Sequence, residues 1–207
     1  MDAFFFGMGY ASTAAACAMQ ARAGERISIA GTVRAAEAAA AGARLHVFDG
    51  SAPGPTLGED LRAARSVVVS IPPDADGDPV LRHHRPDLDA ARDLAWLCYY
   101  STVGVYGDFG GAWVDEDAPT RPVNTRSQRR VEVEAQWRDY AARRGLPLLV
   151  LRLAGIYGPG RSAFDKLADG TARRIVKPGQ VFNRIHVEDI GWVTALAAEA
   201  RLGGTFN

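Results

Sequence analysis

The stretch Phe4-Phe5-Phe6-Gly7-Met8-Gly9-Tyr10-Ala11-Ser12 decides the fold. Three bulky apolar residues end on a glycine, and a helix-like run from Tyr10 to about Ala23 follows, closed by Gly24. A strand that turns through glycines straight into a helix is the context a dinucleotide-binding loop needs. In that reading Gly7 allows the tight turn. Gly9 lets a pyrophosphate approach the backbone where the first helical N–H groups, Tyr10 among them, have no helical acceptor. Ser12 takes the place of a third glycine and is small enough for fairly close helix–strand packing. The competing reading is a glycine turn with no ligand.

The alternation continues outward from this stretch. Strands are expected at Ile27–Thr32, Leu45–Phe48, Ser66–Ile71, Trp96–Tyr100, Leu148–Leu153 and Gly203–Asn207. Helices are expected at Ala35–Ala41, Leu57–Ala64, Leu88–Leu94, Ser127–Arg144, Phe164–Leu167 and Ile190–Glu199, and loops at Asp74–Pro86, Asp108–Thr125 and Ala154–Arg161. Short apolar strands separated by helices make βαβ units. Val67-Val68-Val69 has the continuous apolar character of a strand buried on both faces. Right-handed crossovers then give an α/β fold with a doubly wound parallel sheet, Rossmann-like.

The 207 residues suffice for one layered domain, or one domain with a small cap. Lys plus Arg equals Asp plus Glu at 24 each, which removes the whole-chain basic footprint of a nucleic-acid binder. Cys17 and Cys98 make no disulfide framework and no thiolate metal cluster, and both are expected to pack as inert small residues. No run reaches the roughly 18 apolar residues of a membrane span. A soluble, cytoplasmic protein with neither a nucleic-acid nor a membrane partner is expected, and no metal site. His83-His84 reads as a solvated pair in a polar loop.

Further candidates sit at strand ends. After the second strand come Thr32 and Arg34, with no acidic residue for the ribose hydroxyls; a 2′-phosphate contact favours NADP over NAD, against a solvated Arg34. Asp49 follows the third strand, as an adenine contact or a turn aspartate. Ser70-Ile71-Pro72 closes the fourth strand, lining a cofactor or simply ending it. The pair Ser101-Thr102 opens the loop after the fifth strand, where such sheets bind ligands, with Tyr106 as a phenol at the rim. Strand-end capping is the plain alternative for that pair.

Four segments occur in one order: Gly7–Ser12, Ser101–Gly107, Arg152–Gly160 and Arg184–Ile190. Together they resemble the extended short-chain dehydrogenase/reductase superfamily, which contains NAD(P)-dependent epimerases and dehydratases of nucleotide sugars. The likeness is to an atypical bacterial NAD-dependent epimerase/dehydratase group, carried also by Gly110-Gly111-Ala112-Trp113-Val114-Asp115-Glu116. The resemblance implies NAD or NADP as cofactor and a Ser/Thr after the fifth strand, matched by Thr102 with Ser101 beside it. It also implies a Tyr-x-x-x-Lys on the next helix, and here the sequence departs. Counting back from Glu134, Arg126 stands at the tyrosine position and Arg130 at the lysine position. Arg130 could serve as a ribose or phosphate contact, whereas a guanidinium is a poor acid–base group. Tyr106 or Tyr157 would have to move the proton instead, or the arginines are a solvated helix face.

Gly155 and the loop to Arg161 are implied to lie beside the nicotinamide, and Arg161 to meet a substrate phosphate or carboxylate. His186 resembles the family's structural loop histidine. Lys166, Arg173, Arg174, Lys177 and Arg184 fit an anionic, nucleotide-linked substrate, or a solvated surface. The expected organisation is an NAD(P)-binding core over 1–160. Residues 161–207 then start a C-terminal substrate-binding portion containing the last core helix and strand. The family continues past the last expected strand, so a fragment of a longer protein is expected, as is a homodimer through the long helix. The functions in view are an NAD(P)-dependent oxidoreductase, epimerase or dehydratase; a non-catalytic dinucleotide-binding sensor; and a nucleotide-free interaction protein.

Overall fold

Phe4 and Phe6 face one side of a sheet and Phe5 the other, as the two-residue period of a strand requires. The computed structural model describes residues 2–24, 27–35, 42–174, 176 and 178–207. The chain runs β1 (Ala3–Phe6), α1 (Tyr10–Ala23), β2 (Ile29–Val33), β3 (Ala43–Val47), α2 (Gly58–Arg62) and β4 (Ser66–Val69). It continues α3 (Pro79–Ala90), β5 (Trp96–Thr102), α4 (Thr125–Arg144) and β6 (Leu148–Leu153). Then come β7 (Gly155–Tyr157), α5 (Ala163–Ala168), β8 (Arg184–His186), α6 (Val187–Ala200) and β9 (Gly204–Phe206).

Seven strands form one parallel sheet in the order β3-β2-β1-β4-β5-β6-β9, the doubly wound arrangement expected. Strand order reverses at β1, which pairs with β2 on one side and β4 on the other. The crevice at the carboxyl ends of β1 and β4 is therefore the topological switch point, where such sheets bind ligands. α2, α3 and α4 cover one face, burying Phe4, Phe6, Val67, Val69 and Trp137 together. α1 and α6 cover the other, over Phe5, Val68, Trp96 and Leu149. Each buried phenylalanine contributes roughly 1.5–3 kcal/mol relative to exposure. The alanines of α1 let α6 approach so closely that a Cβ on Gly191 would stand 2.7 Å from the carbonyl oxygen of Ala14.

Several expectations need correction. The segment expected as a loop over Asp74–Pro86 holds most of α3. Asp78 caps that helix, accepting from the N–H groups of Val80 and Leu81, and Pro79 opens it, where a missing N–H costs nothing. The helix ends at Ala90 rather than Leu94. His84 is consequently not solvated. It is buried against Phe6 and Phe48, Nε2 accepting from Gly54 N–H and Nδ1 bonded to Asp87. The loop expected over Ala154–Arg161 contains β7, paired in parallel with β8 in a small second sheet. Cys17 faces outward from α1 and is exposed, while Cys98 is buried and burial pushes its thiol up. The helix expected at 35–41 falls on residues 36–41, outside the described residues. Among the described residues no helix is long and apolar enough to cross a membrane.

Candidate functional site

The loop between β1 and α1 is held from below. Gly7 has φ +93°, and a Cβ there would lie 2.7 Å from Ile71 Cγ2 and 2.8 Å from Ser70 Oγ. Only glycine fits that turn. The Gly7 N–H donates to Thr32 Oγ1 at 2.8 Å. The Ser12 hydroxyl donates to Ser70 Oγ at 3.0 Å, and the single Ser70 proton is placed to go to the Gly7 carbonyl at 2.8 Å or the Phe6 carbonyl at 3.1 Å. The serine in the third glycine's place thus ties α1 to the end of β4 by a chain of hydroxyls.

Gly9 differs in kind. Its φ is −91°, open to any residue, and a Cβ on it would meet nothing within 4 Å. It is the N-cap of α1, without a side-chain cap, and no acidic residue occupies the first turn. The partial positive charge of a 14-residue helix therefore opens onto empty space at the switch point, a cradle suited to a pyrophosphate. The loop fits a dinucleotide.

The remaining cofactor candidates are placed unevenly. Thr32 is fully buried and its oxygen serves Gly7, so its side chain does not reach a 2′-phosphate. Arg34 is exposed just beyond β2. Asp49 is exposed and closes a turn, accepting from the Ser51 hydroxyl and N–H, which hold its carboxyl below the usual range. Ile71 packs partly on the core beside Gly7, and Pro72 is exposed.

At the end of β5, Thr102 Oγ1 accepts from the Gly104 N–H at 3.1 Å and is partly exposed. A Cβ on Gly104 would lie 3.0 Å from Ser127 Oγ and 3.4 Å from Thr102 Oγ1. Two hydroxyls therefore face the same bare glycine. Ser127 was not among the sequence candidates. Its signal is its position in the first turn of α4, beside Arg126, with Asn124 capping its N–H.

Ser101 and Tyr106 point elsewhere. Ser101 Oγ donates to Glu134, which also accepts from Arg152 Nη2 and Arg138 Nη2, each at 2.9 Å. Burial raises the Glu134 carboxyl, but the bonds from Arg152, Ser101 and Arg138 outweigh it and hold the group below the ordinary carboxylate range. Tyr106 is not a phenol at the rim. It is 2% exposed, with Arg152 donating to its hydroxyl at 2.8 Å and that hydroxyl donating to Asn207 Oδ1 at 2.8 Å. These groups frame β5, α4, β6 and β9 and offer no proton to a ligand.

The two helix arginines separate. Arg126 is exposed. Arg130 is buried, donating to the Tyr99 hydroxyl and the Tyr100 carbonyl at 2.8 Å each, and it stacks over the Tyr99 ring. In this arrangement Arg130 braces β5 from behind instead of reaching toward a ribose. The physical reason is the pair of buried acceptors on β5, which compensate the charge only while the guanidinium stays on them.

Gly155 donates its N–H to Asn183 O in the β7–β8 pairing, so that N–H is not free for a cofactor. Tyr157 is exposed, its ring edge-on to His186 at 5.1 Å. His186 caps α6, its Nδ1 accepting from the Glu188 N–H. The turn Gly158–Arg161 reaches back to α1, where the Tyr10 hydroxyl donates to Pro159 O at 3.0 Å. A cavity of about 280 Å³ lies at the opposite end of the sheet, beside Asp2, Met19, Ser66, Trp96 and Glu199. Those are the amino ends of β1, β4 and β5, away from the switch point.

A doubly wound sheet with a glycine loop and an uncapped helix at its switch point defines a dinucleotide-binding fold. Residues 85–204, more than half of the chain, match the NAD dependent epimerase/dehydratase family, and the chain belongs to it. Protein YeeZ of Escherichia coli K12 is 34% identical over 123 residues, 58% of this chain and 42% of its own length. The chain thus spans less than half the length of that curated relative. A conserved protein of unknown function from Silicibacter pomeroyi superposes with a TM-score of 0.82 at 42% identity, over 99% of this chain and 70% of that one. UDP-glucose 4-epimerase from Thermus thermophilus, in complex with NAD, shares the fold with a TM-score of 0.75 at 19% identity, over 100% of this chain and 77% of that one.

Proposed function

We propose that this chain binds NAD(P) across the carboxyl ends of β1, β2 and β4 and belongs to an NAD(P)-dependent oxidoreductase, epimerase or dehydratase acting on an anionic, nucleotide-linked substrate. One observation carries the reading: Gly9, at the uncapped start of α1, borders empty space at the switch point. Family membership and the NAD-bound epimerase of the same fold support it. Gly9 and the first N–H groups of α1 would hold the pyrophosphate. Arg34, exposed beyond β2, would pair with a 2′-phosphate and favour NADP. The bound nicotinamide would supply hydride chemistry. The Thr102 hydroxyl, with Ser127 across Gly104, would orient a substrate hydroxyl or carbonyl.

A second reading, a dinucleotide-binding sensor without turnover, is favoured by α4. Arg126 cannot act as an acid–base at neutral pH, and Arg130 is committed to Tyr99 and Tyr100. Titration with NADPH and NADH, followed by nicotinamide fluorescence, tests the shared binding step on wild type and Gly9→Ala. Alanine is a poorer N-cap than glycine, so the variant stays folded with a Tm only a few degrees lower. It loses about 10- to 100-fold in affinity, the equivalent of one or two charge-assisted hydrogen bonds. A folded wild type that binds neither cofactor refutes both readings. Binding without turnover over a panel of nucleotide sugars selects the sensor.

A further inference from the structure

We propose that Tyr10 and Arg161 form a clasp over the cofactor pyrophosphate, in which the Tyr10 ring holds the Arg161 guanidinium above the start of α1. The inference rests on the dinucleotide reading and adds to it a residue that the sequence placed on the substrate.

The turn that carries Arg161 is closely defined. Gly158 O accepts from the Arg161 N–H at 3.0 Å, with Pro159 and Gly160 between them. Proline followed by a glycine at φ +69° is the sequence of a type II turn. Ser162 then caps α5 in a reciprocal box with Asp165, which fixes the chain beyond Arg161. The turn is docked on α1 by the Tyr10 hydroxyl, which donates to Pro159 O. Gly158 permits this docking, since a Cβ there would stand 2.6 Å from the Tyr10 hydroxyl oxygen and 3.2 Å from His186 Nε2.

The outcome is an exposed guanidinium whose Cζ lies 5.6 Å from the centre of the Tyr10 ring. Among the described residues no carboxylate lies within ion-pair distance of it. Tyr10 is the first residue of α1, so the cation stands one aromatic ring away from the helix terminus that Gly9 leaves open. The uncapped helix start and the guanidinium stacked on the ring of its first residue are two positive features joined through Tyr10. A diphosphate is the group that satisfies both, the planar donor fork meeting the oxygens the helix N–H groups do not use. Two sources of diphosphate exist, the dinucleotide and a nucleotide-linked substrate. The stack on Tyr10 assigns Arg161 to the dinucleotide.

Competition binding of ADP-ribose and of UDP is measured on wild type, Arg161→Gln, Tyr10→Leu and the double variant. Arg161 is exposed, so its replacement leaves folding intact, which Tm confirms. Arg161→Gln is expected to weaken ADP-ribose about tenfold, the loss of one charge-assisted contact. It also lowers the salt dependence of binding. Tyr10→Leu weakens ADP-ribose by a similar factor, and the double variant is no worse than Arg161→Gln, because both changes remove one device. UDP affinity stays unchanged. The clasp is overturned if ADP-ribose binds Arg161→Gln as tightly as wild type, if UDP alone is weakened, or if the two changes add. Wild type that binds no ADP-ribose overturns the clasp and the dinucleotide site together. Wild type that binds, and loses affinity on Gly9→Ala but not on Arg161→Gln, overturns the clasp alone.

Discussion

Replacing Glu134 by Gln removes the negative centre of the charge frame behind the ends of β5 and β6. The carboxylate is 1% exposed and accepts from Ser101, from Arg152 at 2.9 and 3.3 Å, and from Arg138 at 2.9 Å. The amide keeps the shape but turns one acceptor into a donor facing donors. It also leaves Arg152, itself buried, without its counter-charge. Removing one member of a buried ion pair costs about 3–5 kcal/mol. Arg152 retains the Tyr106 hydroxyl and stacks 4.9 Å over its ring, and Arg138 is 42% exposed in its side chain, so the lower figure applies. A loss of about 3 kcal/mol lowers Tm by about 6–12 °C in a domain of this size. Urea unfolding followed by the fluorescence of buried Trp96 and Trp137 reads it directly. The pH dependence has a definite sign. The folded carboxyl titrates below its ordinary 4.5, so the stabilisation is present above that pH and is lost as pH falls through the lower value. The gap between wild type and variant therefore narrows in acid. A loss under about 1 kcal/mol at pH 7, or a gap that stays constant into acid, refutes the buried-pair reasoning.

Other outcomes follow from the same geometry. Gly7→Ala places a Cβ 2.7 Å from Ile71 Cγ2 at φ +93° and is expected to cost at least about 2 kcal/mol, so Tm falls further than for Gly9→Ala. Equal Tm for the two alanine variants contradicts the distinction between a turn glycine and a ligand-facing one. Arg34→Ala weakens NADPH about tenfold and leaves NADH unchanged if its guanidinium meets a 2′-phosphate. Equal loss for both cofactors assigns it to general charge instead.

The architecture was legible from local pattern, because parallel strands buried on both faces must be continuous apolar runs and the helices between them must cross over with one hand. Phe4 to Ser12 and Val67 to Val69 were sufficient for that. Asp78-Pro79 misled, since a proline after an aspartate marks a helix start as readily as a loop, and only the packed face of α3 decides between them. The candidate site divides along the same line. Gly7 and Gly9 are alike in sequence; one touches Ile71 and the other touches nothing, a difference made by the end of β4, about sixty residues away. Ser101, Tyr106 and Arg130 have the chemistry of a site, yet Glu134, Arg152 and Tyr99 meet them in the interior, where an unpaired polar group costs more than a functional one gains. The sequence by itself determined the strand–helix alternation, the glycine loop and the missing Tyr-x-x-x-Lys, which are properties of neighbours in the chain. The tertiary structure decided which polar side chains are spent on the frame and which, like Thr102 and Arg161, remain accessible, because that depends on partners brought together from distant strands.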